Sequence, residues 1–219
     1  MPEVSTVRER ILAIRDEQLR YALMLQYLAC GRAKEIVART TPRDKSGKNK
    51  ATGPKGTDTR ITEYGEFEIA LFNIYTQKRD GLKRIIALPI KYEEWAKPLH
   101  NYMISFGKNK VFNFTRQWLW RKSKTTFNGL TYPIDKYIIY ENGTIKQTVK
   151  FHTKPFNLHA LRHLRATELI EYYNFNGIDL SVYGGWTLRS MTGVGSAMSR
   201  YTHLDWGKYI GKLLKPRTW

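Results

Sequence analysis

Residues 16–30, DEQLRYALMLQYLAC, constrain this chain more than any other stretch. Leu19, Ala22, Leu23, Gln26 and Tyr27 recur at helical spacing, with further apolar residues around them. A helix that is apolar around most of its circumference has no face to give to water, so it belongs inside a bundle. The chain can supply the rest of that bundle. It has 219 residues, enough for one sizeable domain or two small ones. Its 42% hydrophobic and 13% aromatic content is that of a globular protein with a core.

Other local signals place elements around this helix. Thr6 with Glu9 three residues on has the form of a capping box, predicting a helix start ahead of VRERILAI. Gly31 interrupts the apolar helix, and AKEIVA reads as a short helix resuming. Residues 41–60, TPRDKSGKNKATGPKGTDTR, carry six Lys and Arg against two Asp. That is a flexible basic loop, open to two readings: ordered on a phosphate backbone, or a plain solvated insertion. ITEYGEFEIALFNIYTQ and LKRIIALPI read as two or three antiparallel strands, with KRDG turning between the last pair. YEEWAKPLHNYMISFG and VFNFTRQWLWRKSKTTF read as helices, and KYIIYENGTIKQTVKF as a hairpin around Asn-Gly. Helices over 157–175, roughly 190–201 and LDWGKYIGKLLK close the chain, which shows no internal repeat. The expected fold is α+β and mainly helical, a helical core with a small antiparallel sheet on one side.

Charge narrows the function. Thirty-seven Lys and Arg against 19 Asp and Glu leave a formal net charge of +18. Such a surplus points to a polyanion, most often nucleic acid; basicity spread evenly for solubility is the weaker reading. The single cysteine, Cys30, excludes an internal disulfide and reads as a packed core thiol. No apolar run reaches the roughly 18 residues of a membrane span, and no signal peptide opens the chain, so a soluble cytoplasmic protein is expected. No His/Asp/Glu cluster has metal-ligand spacing, and neither metal nor cofactor is expected.

FNLHALRHLRATELIEYYNF, residues 156–175, sets two histidines and two arginines into an apolar helix. At 100° per residue, His159, Arg162 and Ala166 fall within about 60° of one another, while Leu158, Leu161 and Leu164 face elsewhere. A buried guanidinium costs several kcal/mol unless paired, and for a lone arginine an internal ion pair would be the ordinary explanation.

HALRHLRATEL resembles the His-x-x-Arg-His motif of the tyrosine recombinase (phage integrase) catalytic domain. AMSRYTHLDW resembles that family's nucleophile segment, ACGRAKEIV its first box with Arg32 and Glu35, and IYTQKRDGLKRIIALP its lysine-bearing β-hairpin. These elements stand in the family's order and cover the chain from about residue 10 onward. The resemblance implies that Arg32 and Arg162 clamp the scissile phosphate, that Tyr201 is the nucleophile, and that His159 accepts its proton or holds a phosphate oxygen. A lysine would protonate the 5′-oxygen leaving group: Lys78, with Lys83 as competitor. The chemistry suits these types, since a guanidinium fork matches two phosphate oxygens and a phenol of pKa about 10 needs positive charge and a base beside it. Where most members carry Gly-His, this chain has Trp186, a donor only. Taken alone, a core aromatic is the weaker reading of Trp186. Glu35, His163 and His203 are expected to support the site, Glu35 against Arg32 or His163, the histidines by bonding backbone or neighbouring acids.

The resemblance makes the expected function site-specific DNA recombination or integration through a 3′-phosphotyrosine. A type IB topoisomerase or telomere-resolving enzyme with the same chemistry is one alternative, and a DNA-binding protein without turnover another. The expected partners are double-stranded DNA and further copies of the chain, a tetramer on DNA, with the helix over 205–215 as a candidate contact. The high basicity and Trp186 lean toward a mobile element, acting at the host nucleoid. Box one begins about 30 residues in, so 1–219 reads as one catalytic domain without the family's clamp domain, predicting weak, salt-sensitive DNA binding.

Overall fold

A computed structural model describes residues 1–37, 53–76, 83–138, 148–186 and 205–216. The fold is α+β, with eight α-helices, a three-stranded antiparallel sheet and a two-stranded ribbon among the described residues. The apolar helix is α2 (Glu17–Leu28), started by Asp16, whose carboxylate accepts from Leu19 N at 3.0 Å. Its buried residues run without a break from Ala22 to Leu28, so every face is covered. It packs against α1 (Val4–Leu12), α3 (Ala33–Ile36), α4 (Ala96–Ile104) and α6 (Leu158–Glu171). No described helix is long and apolar enough to cross a membrane.

Helix α1 corrects one expectation. It starts two residues before Thr6, its N-cap Glu3 makes no side-chain cap bond, and Thr6 lies inside the helix. Its anchor is instead Arg8, 3% exposed, which donates to Glu93 at 3.0 Å and Glu94 at 2.7 Å and lies over Trp95.

The last part of the basic stretch 41–60 is built into the fold. Gly56–Asp58 form a 3₁₀ turn, and β1 (Thr59–Tyr64) begins inside it. Gly56 is forced by space: a Cβ there would lie 2.5 Å from Gly107 N and Met103 O. Residues 41–52 lie outside the described residues. β2 (Phe67–Tyr75) pairs with β1 and with β3 (Lys83–Pro89) in the order β1-β2-β3, as the alternation predicted; the KRDG turn is outside the described residues. Four consecutive buried residues, Ile69–Phe72, show that the central strand is covered on both faces.

Helix α5 (Arg116–Thr126) is capped by Thr115 and starts later than predicted; Val111 and Phe112 before it are core residues outside any helix. β4 (Thr131–Ile138) and β5 (Thr148–Pro155) pair antiparallel around the predicted Asn-Gly, which is itself not described. The sequence reading passed over α7 (Gly177–Gly184). Asn176 accepts from Ile178 N and Asp179 N, Asp179 returns a bond to Asn176 N, and Gly185 ends the helix at φ +67°. This Asn-x-x-Asp box was a legible start signal. Helix α8 (Gly207–Leu213) buries Tyr209, Ile210 and Leu213 in this chain's own core. Tyr209 donates to Ile85 O and accepts from Ala87 N, both at 3.0 Å, so it closes the open edge of β3. The apolar stripe expected as a candidate subunit contact is therefore used within the chain. Residues 190–201 lie outside the description.

Candidate active site

Helix α2 ends by turning at Cys30, φ +45°, and Gly31, which leaves its last carbonyls without helical partners. Three side chains from distant elements take them. Tyr183 donates to Leu28 O, Arg84 to Ala29 O at 2.8 Å, and Arg162 to Cys30 O at 2.5 Å. The C-terminus of α7 arrives at the same place. Tyr183 O accepts from Arg84 at 2.6 Å and Gly184 O from Arg162 at 3.0 Å. Two helix ends, each carrying the negative pole of its dipole, thus cage two guanidiniums.

The cage determines the electrostatics. Carbonyls satisfy N–H groups but cancel no net charge. Arg162, 2% exposed, meets carbonyls and the Trp186 ring, 3.9 Å from its guanidinium carbon, rather than a carboxylate among the described residues. Glu35, fully buried, pairs with Arg32 at 2.9 Å and with Arg84 at 3.2 Å. Among the described residues, three guanidiniums against one carboxylate leave a local surplus of two positive charges (3 − 1). Burial, followed by Arg32 and Arg84, pulls Arg162 down to about 10, which still leaves it charged at neutral pH. The Cys30 thiol is pushed up to about 11 by burial and stays neutral, the packed core thiol expected.

His159 stands on the first turn of α6, held in place by Asn157, whose side chain accepts from His159 N and Ala160 N. Its ring meets that of His163 edge-on, with centroids 4.5 Å apart. Partial burial, Arg162 and Arg32 hold its pKa below the ordinary 6.5, so the imidazole is neutral at pH 7 and able to accept a proton. In front of Arg32 lies a groove of about 770 Å³, walled by α3, α5 and the start of α6.

Arg32, Glu35, His159, Arg162 and Trp186 come together here. Glu35 supports Arg32 and Arg84, not His163. His163 makes no hydrogen bond to backbone or acid among the described residues; it is exposed and touches His159. Lys78, Tyr201 and His203 lie outside the described residues. Lys83 is exposed at the start of β3, and because strand neighbours alternate, it points away from the face that sends Arg84 to Glu35.

Sequence reading missed Arg84. Its signal was register: Arg84, Ile86 and Leu88 share one strand face, and all three are buried. An arginine on an apolar strand face needs a partner in the core. It also missed the groove wall contributed by Arg116 and Trp120 of α5.

Compared with family models, with curated proteins and with solved structures, the chain matches none.

Proposed function

We propose that this chain is a tyrosine-type DNA strand transferase acting as a site-specific recombinase. The observation that carries the reading is the caged Arg162, a buried guanidinium held by neutral carbonyls and within electrostatic range of Arg32 and His159. A purely structural arginine would be expected to meet an acid, as Arg165 does with Glu168 at 2.6 Å. A charge left uncompensated beside a groove suits an anion that arrives later.

In this reading Arg32 and Arg162 hold the two non-bridging oxygens of a DNA phosphate. Tyr201 attacks the phosphorus, and His159 takes the phenol proton. The bond to the 5′-oxygen breaks, and Lys78 protonates that oxygen. The product is a 3′-phosphotyrosine and a free 5′-hydroxyl; a 5′-hydroxyl from a partner strand then attacks the phosphotyrosine and restores Tyr201. No high-energy cofactor is consumed, because one phosphoester replaces another. The Trp186 ring covers Arg162, so the phosphate reaches the guanidinium only after the ring leaves that face.

A nicked suicide substrate tests the proposal, because loss of a short leaving strand traps the covalent intermediate. Wild-type protein is expected to form a protein–DNA adduct and Tyr201→Phe none. An absent adduct, or one that persists in Tyr201→Phe, defeats the proposal.

A further inference from the structure

The groove in front of Arg32 is larger than a phosphate needs and presents groups that a phosphate does not use. Its volume of about 770 Å³ lies within the range of small-molecule sites, roughly 300–1,000 Å³. Trp120 is in its wall and is 46% exposed. The Lys124 ammonium lies 3.8 Å from the centre of the Trp120 ring, so a cation sits on an indole that is still nearly half open to solvent. Gln26, only 1% exposed, is also in the wall. Its Nε2 donates to Leu158 O at 2.8 Å, which fixes the amide's orientation because a carbonyl only accepts. That leaves Gln26 Oε1 buried and without a partner among the described residues. A buried unpaired acceptor is costly in a finished structure and is explained if a ligand supplies the donor.

A basic groove alone would suit any polyanion. An exposed indole in the same wall as a buried, unpartnered acceptor asks for a flat group that carries an N–H. We propose that the groove receives one unpaired nucleotide of the DNA substrate, its base stacked on Trp120 and donating to Gln26 Oε1, its phosphates on Lys34 and Arg116. This rests on the strand-transferase reading and deepens it: the substrate is DNA with an extrahelical or single-stranded base beside the reacting phosphate. A paired base has both faces stacked and its Watson–Crick donors used, so an intact duplex cannot fill the groove in this way. Each of the four bases offers an N–H once unpaired, so the pocket reads unpairing more than identity.

Three duplexes of one sequence test this at one fixed low salt concentration, by fluorescence anisotropy. One is fully paired, one carries a single bulged 2-aminopurine, and one carries a single bulged abasic nucleotide. Wild-type protein is expected to bind the 2-aminopurine bulge about tenfold more tightly than the other two, with 2-aminopurine fluorescence quenched by stacking. Trp120→Ala should bring the bulged duplex down to the affinity of the paired one, and Trp120→Phe should keep most of the preference. Trp120 is exposed, so these variants are expected to fold. Equal affinity for all three duplexes, binding of none, an abasic bulge bound as tightly as the base, or a preference that survives Trp120→Ala overturns the proposal. Adduct formation on the suicide substrate is read separately. An adduct without bulge preference removes only the groove assignment, and bulge preference without an adduct removes only the strand-transfer reading.

Discussion

Arg162 is held by geometry that only a guanidinium satisfies: two nitrogens reach two carbonyls, Cys30 O and Gly184 O, that belong to different helix ends. A lysine keeps the charge but presents a single nitrogen, so Arg162→Lys is expected to lower the rate of adduct formation by on the order of 10²–10³ while the protein stays folded, measured on the suicide substrate. His159 and His163 make a second prediction. Partial burial is the first cause that holds both below the ordinary 6.5; Arg162 and Arg32 add to it for His159, and His159 and Arg162 for His163. Between each depressed folded value and 6.5 the unfolded chain binds more protons than the folded one, so stability rises with pH across that window and levels off above it. His100, also depressed by burial, acts in the same direction. Urea midpoints should therefore fall on going from about pH 7.5 to about pH 5.5, and a His159→Gln/His163→Gln variant should narrow the difference. An unchanged difference would show that these imidazoles titrate normally.

Among the elements, α7 links fold and site. Its N-terminus is closed by the reciprocal Asn176–Asp179 box, and its C-terminus delivers Tyr183 O and Gly184 O to the two caged arginines. Asn176→Ala removes the acceptor for two backbone N–H groups and is expected to cost about 1 kcal/mol, measured by urea unfolding. Gly185→Ala is expected to cost more and to lower adduct formation as well. Its φ of +67° is strained for any side chain, and a Cβ there would lie 3.0 Å from Arg84 Cδ, one of the side chains the helix end holds.

At the scale of the whole molecule, stability and proposed function rest on different charges. Arg165 is 1% exposed and pairs with Glu168, which also accepts from the Tyr27 hydroxyl, with Glu93 4.0 Å from the same guanidinium. Removing one partner of such a buried set strands the other, so Glu168→Ala is expected to destabilise by about 3–5 kcal/mol in urea unfolding. The Arg32 side chain is 30% exposed, and Arg32→Ala is expected to change stability by less than about 1 kcal/mol while abolishing the adduct. The formal charge of +18 adds a prediction about binding: affinity for DNA should fall linearly with log salt, and on the bulged duplex Lys34→Ala and Arg116→Ala should each reduce the slope by about 1.

Much of this architecture was legible because its signals are short. The all-round apolar α2 with Asp16 before it, the alternation of β1 to β3, and His159 and Arg162 three residues apart on α6 are each properties of one element. By itself the sequence determined those elements, and it set out a resemblance whose central residues Arg32, Glu35, His159, Arg162 and Trp186 lie close together in space. It did not reveal which acid met which arginine. The carboxylate needed by a buried arginine went to Arg165, and Arg162 received backbone carbonyls instead. Thr6 had the spacing of a cap, but the helix was set by Arg8 bonding to Glu93, 85 residues away. The carbonyl cage, the place of Arg84 in it and the groove beside Trp120 were decided by tertiary structure alone. Periodicity acts over three or four residues, whereas a cage needs two helix ends at one point, and only packing brings them there.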